Sequence, residues 1–222
     1  MRQTWRDVSF AHWPVDPDRL RSTLPPGVEV DTFAGSAWVS LVGFEMCDLR
    51  VTGLPTIPTT GRFSEFNVRT YVTGRHGPGV WFYSLDIPNR LPTWVARTVF
   101  ALPYCTAAIE SSHARTLHSW SVRRRWPDRC SGSLTLRVGD LIDEQSELDR
   151  FLTARWRLYA RTPFGGRLLT APVHHEPWPL HGAEAVEFDT GLAGALTPLL
   201  DGDPLLHHAP VVSVRIGRPR LT

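Results

Sequence analysis

The sequence contains no lysine, since all 24 of its Lys or Arg positions are arginine. Without a side-chain amine the chain has no Schiff-base nucleophile and no lysine phosphate anchor, which excludes enzymes that depend on either. Cysteine is also scarce: there are three, Cys47, Cys105 and Cys130, and no CxxC pair. A small, odd set of cysteines argues against a disulfide framework and indicates a reducing compartment. We therefore expect a cytoplasmic protein.

Long apolar runs and a strong charge imbalance are missing as well. No run reaches the ~18 apolar residues of a transmembrane helix, and residues 1–7 lack the apolar core of a signal peptide. The formal net charge of +2 is too small to indicate nucleic-acid binding. We expect the densest basic cluster, Arg123–Arg125, to be a solvated strand end or loop and not a nucleic-acid site. Neither nucleic acid nor a membrane is an expected partner.

What the chain does contain indicates one β-rich domain over residues 1–222. Hydrophobic residues make up 42% of the sequence, enough for a sizeable core. The 19 prolines and 17 glycines cut the chain into short segments, which favours strands over long helices. Helical patterns are confined to a short stretch capped by Asp16, to 94–100 and to 143–153. Strands are predicted at 28–33, 37–44, 63–73, 80–87, 116–125, 133–138, 155–161 and 211–216.

The predicted strand 63–73 carries polar side chains at every second position. Glu65, Asn67, Arg69 and Tyr71 share one face. On an open antiparallel sheet such a face meets water, whereas in a barrel or deep sandwich it lines a ligand cavity. The Cα atoms of Glu65 and Arg69 would lie roughly 13 Å apart. The two side chains would therefore hold opposite ends of a ligand, or pair with other residues.

Several segments, taken in order from about residue 5 to residue 181, resemble the DUF2071 (YqjF-like) family, which is grouped with the acetoacetate decarboxylase-like superfamily. They are Phe10–Val15 (FAHWPV), Leu24–Gly27 (LPPG), Gly35–Val42 (GSAWVSLV), Phe63–Val72 (FSEFNVRTYV), Gly79–Asp86 (GVWFYSLD), Ala96–Arg97, Leu102–Tyr104 (LPY), Phe151–Trp156 (FLTARW) and Val173–Leu180 (VHHEPWPL). The resemblance implies an α+β, β-rich fold. A bent antiparallel sheet closes into a cone-like barrel with a few flanking helices, and the pocket lies inside the cone.

The same resemblance implies which chemistry is absent. In the decarboxylases a lysine that follows a proline forms a Schiff base, and a glutamate on a strand helps to shape the site. Ser64–Asn67 resembles the glutamate strand, and Arg97–Tyr104 resembles the lysine segment. Tyr104, not lysine, follows Pro103 here. The glutamate role is therefore carried over to Glu65, and the Schiff-base mechanism is not.

The residues of the predicted pocket are suited to acid–base chemistry. The predicted catalytic residues are Glu65, Tyr104 and Arg97, and the predicted substrate-binding residues are Arg69, Tyr71, Asn67 and His12. Enclosure would raise the pKa of Glu65, and arginines would hold a substrate carboxylate. This set suits isomerisation, dehydration or decarboxylation beside a carbonyl. In the structural alternative, Glu65 and one arginine form a buried ion pair and His12 serves only as a hydrogen-bonding residue.

No cofactor or metal is predicted. The chain has no GxSxG elbow, no P-loop and no GxGxxG that opens a helix. His174 and His175 are adjacent, so on a strand at most one of them could share a metal site with His181. The pair His207–His208 is expected to face solvent, and Cys105 is expected to be a core thiol.

Two functions fit these observations. The first is a lyase-like or isomerase-like enzyme that acts on an acidic or carbonyl metabolite. The second is a non-catalytic protein that binds a small molecule in the same pocket. A protein-interaction scaffold is a weaker third hypothesis, because it requires an exposed aromatic patch. An exposed sheet edge would allow a homodimer, although no particular residue indicates one.

Overall fold

The computed structural model describes residues 1–50, 62–88, 101–162 and 166–222. Strands dominate these residues, as the spacing of proline and glycine predicts. The strands are β1 Arg2–Val15, β2 Val28–Val30, β3 Ala37–Arg50, β4 Arg62–Gly74, β5 Gly77–Ile87, β6 Tyr104–Ala114, β7 Leu117–Trp126, β8 Ser131–Leu141, β9 Arg157–Arg161, β10 Leu168–His175, β11 His181–Asp189, β12 Leu205–Ile216 and β13 Arg220–Leu221.

These strands pair into one sheet in the order β13-β10-β9-β5-β6-β7-β8-β11-β12-β1-β3-β4-β2. A further pairing between β4 and β5 closes nine strands into a ring, and β10 also pairs with β12. Most neighbours are antiparallel, but β5 runs parallel to both β6 and β9. The predicted β-rich fold, with a sheet that closes on itself, is confirmed, and the sheet contains parallel as well as antiparallel pairs.

Short helices connect and flank the strands in the described ranges. Helix α1 covers Pro17–Arg21, and its predicted N-cap, Asp16, accepts a hydrogen bond from the Asp18 backbone N–H. Helix α2 covers Glu147–Thr153, within the predicted 143–153 segment. A 3-10 helix, which the sequence does not predict, covers Gly191–Leu199. The predicted helix at 94–100 lies outside the described residues.

Both faces of the central strands are buried, each in its own hydrophobic core. Phe10, Phe44 and Trp178 belong to what we call the first core. Trp13 and Trp120 belong to the second core on the opposite face of the sheet. Successive residues of β1 therefore alternate between two apolar environments, since Phe10 enters the first core and Ala11 the second.

The basic cluster on β7 differs from its predicted role. Arg123 is exposed and pairs with exposed Glu110, as a solvated strand end would. Arg124 is buried, and its Nε and Nη2 atoms donate to the two carboxylate oxygens of Asp86 at 2.6 and 2.7 Å. The expectation of a solvated strand end is therefore wrong for Arg124, because a buried carboxylate on β5 neutralises its charge.

In the described part of the chain, no helix combines the length and the apolar character that crossing a bilayer would require.

Candidate functional site

The polar face of β4 is turned away from solvent along its whole length. Glu65 and Asn67 are each 3% exposed, Arg69 is 8% exposed and Tyr71 is fully buried. The alternate residues Phe66 and Val68 pack in the second core, so the polar face points toward the first core, to which Tyr71 belongs. Four polar side chains are thus held among apolar groups, where each unpaired donor or acceptor costs free energy.

Glu65 and Tyr104 meet at one end of this face. The Tyr104 hydroxyl donates to Glu65 Oε2 at 3.5 Å. Burial removes water from the Glu65 carboxyl and raises its pKa to about 8, although hydrogen bonds from Asn67 and Tyr104 oppose that rise. Loss of hydration and the adjacent Glu65 also raise the pKa of Tyr104 well above its ordinary value. At neutral pH both groups therefore carry their protons.

Asn67 lies between the two ends of the face and supplies a second polar atom to this group. Its side chain hydrogen bonds to Glu65, but its Oδ1 atom is buried and has no hydrogen-bond partner in the described structure. A buried amide oxygen without a donor is uncommon in a folded protein, and it is expected where a ligand supplies the donor.

Arg69 forms the other end of the polar face. Its Nη2 atom donates to the Leu152 carbonyl at 3.3 Å, and its guanidinium lies 5.6 Å from the ring centre of Phe10. The Nε atom has no hydrogen-bond partner, and in the described part of the chain no carboxylate lies within salt-bridge distance. The structural alternative in which Glu65 and an arginine pair is therefore wrong for Arg69.

Tyr71 and His12 share one hydrogen-bonded network beside Arg69. His12 Nδ1 lies 2.7 Å from the Ser40 hydroxyl and 3.2 Å from the Tyr71 hydroxyl. Tyr71 also donates to the Leu152 carbonyl at 2.8 Å. Complete burial lowers the pKa of His12 well below its usual value, and His207 and Arg69 lower it further. His12 is therefore a neutral imidazole, and its Nε2 atom is unpartnered in the described structure.

Three residues of this region, His207, Asp149 and Arg155, were not predicted to belong to the site. His207 lies 5.5 Å from His12 between ring centres, and its Nε2 atom is 2.9 Å from Asp149 Oδ1. Arg155 stacks on Phe151 at 4.1 Å, pairs with Asp31 at 2.7 Å and leaves its Nη2 atom without a partner. None of these residues lies in a periodic polar pattern. The FLTARW segment, which resembles the family and contains Arg155, is the one sequence feature that could have indicated Arg155 as a site residue.

The predicted site residues therefore fall into two groups on one face. Glu65, Asn67 and Tyr104 form one group, while Arg69, Tyr71 and His12 form the other around the Leu152 carbonyl. Arg97, the remaining predicted catalytic residue, lies outside the described residues.

The histidines differ from expectation at one point. His207 and His208 are 1% and 4% exposed, so the prediction that this pair faces solvent is wrong. The two side chains point to opposite faces of β12, and burial lowers the pKa of both. The sequence pattern misleads here because β12 contributes residues to both hydrophobic cores and is therefore covered on each face.

Comparison with known proteins places the chain among relatives of one kind. The family model DUF2071, described as an uncharacterized conserved protein, matches residues 2–213. The uncharacterized protein YqjF of Bacillus subtilis (strain 168) is 41% identical over 214 residues, which cover 94% of this chain and 87% of YqjF.

Solved structures with the same fold are more distant in sequence. Acetoacetate decarboxylase from Legionella pneumophila subsp. pneumophila str. Philadelphia 1 has a TM-score of 0.74 at 13% identity, covering 100% of this chain and 86% of that one. The enduracididine biosynthesis enzyme MppR, complexed with pyruvate, has a TM-score of 0.70 at 18% identity, covering 99% and 89%. An acetoacetate decarboxylase-like enzyme from Sphingomonas wittichii RW1 has a TM-score of 0.68 at 15% identity, covering 100% and 92%. These likenesses establish the acetoacetate decarboxylase-like fold.

Proposed function

The chain belongs to the DUF2071 family, and from that premise we propose that it is an enzyme that acts on a small acidic or carbonyl metabolite by acid–base chemistry, without a Schiff base. Its structural neighbours are acetoacetate decarboxylase-like enzymes, which supports a place in that superfamily. With no lysine in the sequence, the covalent route of the decarboxylases has no side-chain amine to use.

One observation carries the proposal: on the same strand face lie a buried guanidinium that has no acidic partner among the described residues and a carboxyl with a pKa of about 8. A buried charge is usually neutralised by a partner, because leaving it alone costs several kcal/mol (about 3–5). The unpaired Nε donor of Arg69 matches a carboxylate, which would accept its hydrogen bond and supply a negative charge. Arg69 is therefore the proposed binding residue for a substrate carboxylate.

At the other end of the face, Glu65 is the proposed proton donor. Because its pKa is about 8, the carboxyl is protonated at neutral pH and can transfer a proton to a carbonyl or enolate oxygen. Tyr104, 3.5 Å away, would donate a second hydrogen bond to the same oxygen. Isomerisation, dehydration or decarboxylation beside a carbonyl would each use this arrangement. The alternative is that the same groups bind a metabolite without converting it.

Calorimetry with small 2-oxo and 3-oxo acids, followed by product analysis by NMR, tests the proposal. We expect R69M to weaken binding of the acid at least about tenfold, and E65Q to retain binding while turnover falls about 100-fold or more. R123M and E110Q are matched controls, because those two side chains form an exposed pair and should change neither quantity. Binding without turnover would select the non-catalytic alternative, and absence of binding by every acid tested would contradict both.

We also propose that the protein works in the cytoplasm. Cys47, Cys105 and Cys130 are all free thiols, which supports a reducing compartment. Fractionation of cells that express the full chain would test this location.

A further inference from the structure

A second group of chemically active side chains lies on the opposite face of the sheet from Glu65. Asp7 of β1, His118 of β7 and His208 of β12 each offer one ligand atom, and these three atoms lie within 4.8 Å of one another. A side-chain hydrogen bond links β7 to β1: the Nε1 atom of Trp120 donates to the Ser9 hydroxyl at 3.1 Å. The three residues are separated by about a hundred positions in sequence and meet only in the fold.

One buried imidazole nitrogen in this group has no hydrogen-bond partner among the described residues. His208 is 4% exposed, and the unpaired atom is its Nδ1. Buried polar atoms are almost always hydrogen-bonded, so this unpaired nitrogen indicates a ligand that imidazole can bind. Imidazole is the most common protein ligand for transition-metal ions.

The backbone at Asp7 is shaped to present the carboxylate. The pairing of β1 with β3 shifts register between Arg6 and Ser9, and Asp7 has a φ of 52°. A left-handed residue at such an irregularity redirects its side chain relative to the regular strand, and such bulges recur beside functional sites. The carboxylate of Asp7 thereby reaches the two imidazoles of the second face.

From this geometry we propose that Asp7, His118 and His208 bind one divalent first-row transition-metal ion, with zinc as the reference ion. Two imidazoles and one carboxylate are a known ligand set for zinc and non-haem iron, and they leave at least one coordination position open. Ligand atoms around tetrahedral zinc lie about 3.4 Å apart, given bonds of about 2.0–2.2 Å. The three side chains would therefore move inward by no more than about 1.5 Å to reach bonding distance.

The surroundings of His118 fit the proposed role. His113 Nδ1 lies 3.1 Å from His118 Nδ1, so one ring fixes the orientation of the other. Glu45 lies behind His113, with its Oε1 atom 3.9 Å from His113 Nε2. Metal-ligating histidines are commonly oriented by a hydrogen bond through the second ring nitrogen. This site lies apart from Arg69 and Glu65, so it does not depend on the proposed function.

Titration of the untagged full chain with Co(II), followed by its visible absorption bands, tests the site without an activity assay. We expect one Co(II) per chain, displaced by zinc, and a rise in Tm on metal binding. D7N and H208A should each weaken binding at least about 100-fold, and H113A about tenfold. H174A, which removes an exposed histidine on β10, is the control and should leave binding unchanged.

Two results would contradict the proposed metal site. The first is the absence of stoichiometric Co(II) or zinc binding. The second is metal binding that persists in D7N and H208A but disappears in H174A, because that result would locate the ion at surface histidines. If H208A fails to fold, D7N remains informative, since asparagine tolerates the left-handed backbone of Asp7.

Discussion

Burial of Glu65 links its protonation state to the stability of the fold. The folded-state pKa is about 8, and the ordinary value is 4.5. Between these values the folded chain retains a proton that the unfolded chain releases. Stability therefore falls as pH rises from about 4.5 to about 8, by at most about 1.4 kcal/mol per pH unit. Below this window the carboxyl is protonated in both states and contributes no pH dependence.

E65Q should remove this part of the pH dependence. The amide has the size of the protonated carboxyl but does not titrate, so the free energy of unfolding of E65Q relative to the original chain should rise between pH 5 and pH 8. Urea unfolding at several pH values, with E110Q as the exposed control, measures the difference. Parallel stability profiles for E65Q and the original chain would show that Glu65 ionises as readily in the folded state as in the unfolded state.

For single residues, the sequence predicts which strand face a side chain lies on better than it predicts the residues that the side chain contacts. Period-two alternation correctly grouped Glu65 with Arg69 on one face, because strand geometry alone sets that relation. It could not show that Ser40 holds His12 or that Asp149 meets His207, since those contacts join residues 28 and 58 positions apart. Such partners depend on strand order, which no local pattern contains.

At the scale of elements, the link between β5 and β6 is short and is reinforced by a buried ion pair. The two strands pair in parallel over three residues only, beginning at Leu85 and Tyr104. Asp86 of β5 and Arg124 of β7 form two charge-assisted hydrogen bonds across β6, and Arg124 Nη2 also donates to Ser84 at 2.7 Å. The pair therefore holds three strands of the ring together at a point where the β5–β6 ladder is only three residue pairs long.

R124M should destabilise the protein by about 3–5 kcal/mol, because it leaves Asp86 charged and buried. R123M, one position away, removes an exposed arginine and should cost no more than about 1 kcal/mol. Chemical denaturation of both variants measures the contrast. Adding D86N to R124M should recover part of the loss, and equal costs for R123M and R124M would contradict the assigned role of the buried pair.

Strand β1 was not predicted from the sequence, and its burial explains why. Residues 8–13 of β1 are buried without interruption, so the strand shows no alternation of polar and apolar positions. Strand β4 was predicted because one of its two buried faces is polar, which restores the alternation. Periodicity therefore identifies a strand by the contrast between its faces, and fails where two hydrophobic cores cover it.

At the scale of the whole molecule, closure of the ring depends on β12. This strand pairs with β1 over Arg2–His12, and it also pairs with β10 and β11. It contributes Leu206 to the second core and Val212 and Val214 to the first. Composition predicted the β-rich class, but the closure of the sheet was predicted only from the family resemblance. The pattern of a single strand does not indicate which strand edges pair with each other.

Deletion of residues 205–222 should therefore abolish cooperative folding. It opens the ring, leaves β1 with an unpaired edge and exposes buried side chains worth about 2 kcal/mol each, against a net stability of about 5–15 kcal/mol for a domain. Deletion of residues 218–222 is the matched control, because β13 is a two-residue strand at the end of the sheet that pairs with Leu169 and Thr170 of β10. Tryptophan fluorescence in urea and binding of a hydrophobic dye distinguish the two. A sigmoidal unfolding transition in the longer deletion would mean that β1 and β11 can close the sheet without β12.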